Sequence, residues 1–277
     1  MFRRIAPLGI AVLAGLVATS AAASDLDIIN APEIDVSGST VAEGWYIRGD
    51  LGYSGWVKHD KPNYRIDAFG AAFAEGDFDN ARFSKPVSYG VGMGYQFNNF
   101  LRADLTTDFF NGSLRGSSSL DSPCITAPAG TTCRLGQKAD YSAANFLANG
   151  YVDLGTYAGI TPYLGAGAGV TYMKWDSFRT NANCRNDTGS CAGATFDEIR
   201  VKGDDSWRFT YALMAGAAID LTERVKLDLG YRFSDMAGGK AFGGSADVPG
   251  VGTVSVKGRD EGFQKHEFRA GIRVSTW

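Results

Sequence analysis

From Trp45 onward the chain alternates apolar and polar residues with a period of two, in one segment after another. In "WYIRGDLGY", Trp45, Ile47, Leu51 and Tyr53 share one face of an extended strand, and Arg48, Asp50 and Gly52 share the other. The pattern returns at residues 87–97, 101–109, 142–154, 159–172, 207–219, 225–233 and 266–274, which makes eight strands. In the fourth, Leu147 falls on the polar face. Each strand is close to the length, roughly 9–11 residues, that crosses a bilayer when tilted. The connections sort into two classes. Those near 98–99, 155–161 and 220–224 are short, and those near 57–86, 111–140, 176–206 and 235–265 are each about thirty residues. Alternation alone also suits a soluble sandwich, but a sandwich has no reason to sort its connections by length. The expected fold is therefore all-β: an eight-stranded antiparallel up-and-down transmembrane β-barrel with short periplasmic turns and four long extracellular loops.

The ends of the chain agree with export. Residues 1–23 carry Arg3 and Arg4, an apolar run and Ala21 and Ala23 before Ser24, the layout of a secretory signal peptide. Residues 24–43 are read as a short periplasmic segment and 44–277 as the barrel. Without the two signal arginines, 27 − 2 = 25 Lys plus Arg face 30 Asp plus Glu, a mildly acidic balance that argues against a nucleic-acid partner. The run "GAGAG" at 165–169 has Val170 where a dinucleotide fingerprint needs glycine, and no Lys-Ser or Lys-Thr follows. Its period of two, shared with Gly90, Gly92 and Gly94, reads instead as the inner wall of a barrel.

Alternation also sorts the charges. The inward positions carry Arg48, Arg102, Arg208, Lys226, Arg232, Arg269 and Arg273 against Asp50, Asp104, Asp108, Asp153, Asp228 and Glu267. Buried charges need partners, so this near-balance implies a network that plugs the lumen and leaves low conductance or none. Aromatics gather at strand ends, as membrane interfaces require: Trp45 and Phe97 at one boundary, and Tyr53, Trp56, Phe109, Tyr172, Trp175, Trp207 and Phe233 at the other. Cys124 and Cys133 lie in the second long connection, Cys184 and Cys191 in the third. In an exported chain they read as disulfides, with pairing inside each loop the economical choice; neither pair has zinc-knuckle spacing. His59 and His266 have no triad order around them, and no catalytic, cofactor or metal site is expected.

The tract "YVDLG…GITPYLGAGAGV", the strand "GVGMGYQF", "DLGYRF" and the closing "HEFRAGIRVSTW" resemble the small outer-membrane β-barrels of Gram-negative bacteria, such as the membrane domain of OmpA, OmpX and the opacity-type or porin-family surface antigens. The resemblance implies an outer-membrane location among lipids and lipopolysaccharide. It also implies recognition by the barrel-assembly machinery through a terminal aromatic, here Trp277, which falls one residue out of phase with Phe268. The expected function is a surface protein that contributes to envelope integrity and presents loops to a host or cell-surface ligand. A narrow channel is the second reading and a lipid A-modifying enzyme the third.

Overall fold

In the computed structural model the described residues are 43–59, 63–68, 71–77, 80–120, 131–186, 198–248 and 252–276. They form thirteen strands: β1 Gly44–His59, β2 Asn63–Ala68, β3 Ala71–Asp77, β4 Asn80–Phe83, β5 Val87–Gln96, β6 Leu101–Leu120, β7 Thr131–Asp153, β8 Ile160–Trp175, β9 Phe178–Asn186, β10 Ile199–Val201, β11 Asp205–Asp220, β12 Val225–Val248 and β13 Gly252–Ser275. All belong to one antiparallel sheet in the order β10-β9-β7-β8-β11-β12-β13-β1-β5-β6-β4, with β6 also paired to β7 and β2 and β3 joined through β13. Each of β1, β5, β6, β7, β8, β11, β12 and β13 thus has two neighbours among these eight.

This corrects the expected architecture. The sheet has thirteen strands, not eight, and the stretches read as long extracellular loops are largely strand. β6 runs on to Leu120, β12 to Val248, and β13 begins as early as Gly252. The short connections lie where the sequence puts them, and their side chains explain why. Asn98 accepts hydrogen bonds through its Oδ1 from the backbone N–H groups of Phe100 and Leu101, both at 2.8 Å, and Thr222 Oγ1 does the same for Val225 at 3.0 Å. Between β7 and β8, Gly155 and Gly159 take φ of 98° and 77°, the left-handed region glycine enters without steric cost.

The strands outran the sequence reading because the sense of the alternation inverts along them. On the lower part of β6 the outward residues are apolar, Leu101, Leu105 and Phe109, and the inward ones polar, Arg102, Asp104 and Asp108. Past Phe110 the inward residues are apolar, Phe110 and Leu114, and the outward ones polar, Asn111 and Arg115. The same switch falls between Asn145 and Ala143 on β7, Thr171 and Met173 on β8, Ser234 and Met236 on β12, and Lys265 and Phe263 on β13. Five strands change sense at one level. Below it the outer face meets hydrocarbon, where Leu51, Val91 and Leu105 each expose 63 % of their surface; an apolar patch this extensive is stable only against lipid. Above it the outer face meets headgroups and water, so polar residues turn out and apolar ones turn in.

The glycines on the inner face make room for large neighbours. Gly165 lies opposite Tyr151 and Gly94 opposite Tyr46, and a Cβ at either would run into the tyrosine ring. The slots let Tyr46 and Tyr151 lie flat along the wall, 1 % and 3 % exposed. Leu147, which sequence alternation put on the polar face, is inward and buried opposite Gly169.

Candidate functional site

The inner face carries two stacked regions. In the lower one, strand alternation aims charged residues from β1, β6, β7, β11, β12 and β13 at one another. Arg48 bonds Asp50 at 2.7 Å and Asp104 at 2.9 Å, and Asn149 donates to Asp104 at 2.7 Å. Arg232 bridges Asp108 at 2.6 Å and Glu267 at 2.9 Å. Arg269 bonds the other Asp108 oxygen at 2.7 Å and reaches Asp50 at 3.4 Å. Towards the short-turn end, Arg102 pairs with Asp153 at 3.0 Å and its guanidinium lies 4.0 Å from the Tyr151 ring centre. Arg273 pairs with Asp228 at 3.3 Å. β12 and β6 are not neighbours in the sheet, so the Arg232–Asp108 bond spans the interior.

Two inward members of this network lie beyond those the sequence pointed to. Lys265 is fully buried, 3.2 Å from Glu267, with its ammonium 4.1 Å from the Phe110 ring centre at the junction of the two regions. It sits two residues from Glu267 in the same phase, so extending the last strand by one pair finds it. Asp260 receives a two-pronged bond from Arg208 at 2.6 and 2.7 Å. Its phase is hidden, because Gly262 at φ 92° shifts the alternation between Asp260 and Phe263. One expected member is elsewhere: Lys226 pairs with Asp220 at 2.6 Å beside the short turn, with a quarter of its side chain exposed. Among the described residues, Arg48, Arg102, Arg208, Arg232, Lys265, Arg269 and Arg273 then face Asp50, Asp104, Asp108, Asp153, Asp228, Asp260 and Glu267, seven cations against seven carboxylates.

Above this lies an apolar cap. Phe110, Leu114, Tyr141, Met173, Trp175, Phe178, Met236, Phe242 and Phe263 form a continuous buried cluster, with Phe83 packed against it. Phe83 stacks on Phe263 at 5.1 Å, and Tyr141 and Trp175 meet at 5.1 Å. Burial pushes the Tyr141 phenol well above its usual range, so it stays neutral within the cap. Trp175, expected among the interfacial aromatics, belongs here: it is 2 % exposed and points inward, because the alternation has already inverted at its level. Trp45, Tyr53, Phe97, Phe109 and Trp207 are exposed on the outer face, with Tyr172 and Phe233 partly covered beside them. Tyr172 packs on Trp207 at 5.0 Å. The side chain of Trp56 and all of Trp277 lie outside the described residues.

The backbone register sets Cys133 directly opposite Cys184 between β7 and β9. Pairing inside each loop is therefore not what this ladder favours; Cys124 and Cys191 lie outside the described residues. His266 faces outward, bonded to Tyr231 and packed on Phe233. Among the described residues no group of three or more His, Cys, Asp or Glu side chains could hold a metal ion.

The sequence matches the family described as Outer membrane protein beta-barrel domain over residues 9–274. An uncharacterized protein of Brucella suis is 34% identical over 285 residues, covering 95% of each chain. A putative adhesin of Rickettsia bellii is 28% identical over 249 residues, covering 88% of this chain and 97% of its own. Among solved structures, the outer membrane protein OprG of Pseudomonas aeruginosa is similar with a TM-score of 0.47 at 19% identity, over 85% of this chain and 98% of its own. The chain belongs to the outer membrane protein beta-barrel domain family and is a protein of the outer membrane.

Proposed function

We propose that this chain is a non-conducting surface protein that contributes to envelope integrity and offers the upper part of its sheet to a host or cell-surface ligand. The observation that carries this reading is the interior: a network of paired charges, with a small cavity among Arg48, Asp50, Arg232 and Arg269, lies beneath a packed aromatic cap. Mobile ions gain little from entering a path whose charges are already neutralised by one another, and the cap above is lined mainly by apolar and aromatic side chains. The rim above the cap then has presentation as its role, in keeping with the putative adhesins among the relatives. Lipids and the assembly machinery are partners at the level of the family, and Trp277 is the proposed assembly signal. The refolded chain in a planar bilayer is expected to give no stable single-channel steps; a large, reproducible conductance would sink the reading in favour of a channel.

The cysteines bear on the same surface. We infer that Cys133 is joined to Cys184, fastening the second excursion to the third. Directly opposed residues on neighbouring strands stand at the separation a disulfide spans, and no free cysteine occurs among the described residues. Oxidation removes two protons and two electrons from the thiol pair, taken up by an exported thiol oxidase or oxygen. Peptide mapping of the exported protein without reduction is expected to recover a Cys133–Cys184 crosslink. A map with Cys124–Cys133 and Cys184–Cys191 peptides instead refutes it.

A further inference from the structure

Five strands that the sequence scatters over 119 residues each place one cation at a single level of the sheet. Arg82 on β4 pairs in register with Arg115 on β6, Arg115 with Lys138 on β7, Lys138 with Arg179 on β9, and Arg179 with Arg200 on β10. All five are exposed. Their alternate neighbours Phe83, Leu114, Ala139, Phe178 and Val201 turn inward to the cap, so the cations stand on the outer face. With strands about 4.8 Å apart, the row extends for roughly 19 Å.

Such a row is unfavourable by itself, because like charges directly opposite one another destabilise a sheet. The chain supplies two acids nearby: Asp140, 3.9 Å from Lys138, and Glu198, 2.6 Å from Arg200. Arg82, Arg115 and Arg179 make no ion pair with a described residue, so among the described residues the row carries three positive charges more than the acids paired with it. A row of guanidinium groups suits phosphate, which each can grip through two parallel N–H bonds.

The position narrows the source of the anion. Arg115 lies five residues past Phe110, where the alternation inverts, or roughly 17 Å along the strand. It also lies five residues below Leu120, and Lys138 seven residues inside the start of β7 at Thr131. The row therefore faces sideways, above the hydrocarbon and below the rim. A ligand arriving from the medium meets the rim first; a molecule of the outer leaflet stands beside the row. We propose that Arg82, Arg115, Lys138, Arg179 and Arg200 form a binding strip for the phosphate groups of lipopolysaccharide. The inference rests on the outer-membrane location and is independent of the presentation reading above.

The test uses the refolded full chain in detergent and purified deep-rough lipopolysaccharide, with the same material stripped of its phosphates and heparin as the other probes. The variant Arg115→Gln/Lys138→Gln/Arg179→Gln is expected to bind phosphorylated lipopolysaccharide about tenfold more weakly, with Arg115→Lys/Arg179→Lys falling between it and the parent, because lysine keeps the charge and loses the two-pronged grip. Removing the phosphates should weaken the parent to the level of the variant, and added salt should narrow the difference between them. Equal binding by parent and variant overturns the proposal. So does loss of heparin binding with lipopolysaccharide binding intact, which gives the row to a soluble sulfated polysaccharide. Heat-modifiable migration reports folding. Without lipopolysaccharide and at low salt the variant is expected to unfold no earlier than the parent, because like charges have been removed. Should the triple variant fail to fold, Arg115→Gln and Arg179→Gln alone carry the test, each expected to weaken binding about threefold.

Discussion

Asp108→Asn is expected to lower the unfolding free energy by about 3–5 kcal/mol, the range for removing one partner of a buried ion pair. Asp108 is 0 % exposed and holds Arg232 at 2.6 Å and Arg269 at 2.7 Å through separate oxygens. Asparagine keeps the shape and opens no cavity, so the loss reports charge. Arg232 retains Glu267, but Arg269 keeps only longer contacts, 3.4 Å to Asp50 and 3.8 Å to Glu267. One carboxylate fewer also leaves the interior with seven cations against six acids. A second substitution, Arg269→Met, should restore part of the stability by removing the stranded guanidinium. The comparison is Asp140→Asn, whose partner Lys138 is 45 % exposed; exposed pairs contribute about 0–1 kcal/mol. Urea titration of the three refolded proteins in lipid vesicles decides. If Asp108→Asn costs no more than Asp140→Asn, the interior is wet and its charges are solvated.

The spanning part of the sheet is legible in the sequence because lipid imposes one rule on it: apolar out, polar in, residue by residue. That rule located β1, β5, β6, β7, β8, β11, β12 and β13, their short turns, and most of the interior charges. It failed where its premise ends. Above the hydrocarbon the outward partner is water and headgroups, and the same period of two continues with its sense reversed. Leu114, Tyr141 and Trp175 are inward there, while Arg115, Lys138 and Lys174 are outward. A reader holding to one sense sees the pattern dissolve into loop. Gly262 hides Asp260 for a related reason, since one residue at positive φ exchanges the faces on either side of it. The cationic row is harder still. No local window contains two of its members, and only the strand pairing brings them to one level.

Trp175 separates these two readings of the upper sheet. As an interfacial aromatic it faces lipid; as part of the cap it is 2 % exposed and packs on Tyr141, Phe178 and Phe83 with ring centres 5.1, 5.6 and 6.2 Å away. In a variant where it is the sole tryptophan, its fluorescence is expected to resist both brominated lipid and acrylamide. Trp207, 64 % exposed on the outer face beside Tyr172, should be quenched by brominated lipid. Trp175→Ala is expected to cost about 3–5 kcal/mol, the range for emptying a packed aromatic site. Trp207→Ala leaves the cap intact and should cost far less, because lipid fills the space. The two losses should also differ in place. Removing Trp175 loosens the cap, so protease cleavage above the level of Met173 should speed up while the lower network stays protected. Quenching of Trp175 by brominated lipid would return it to the interface and leave the lower charged network without its cover.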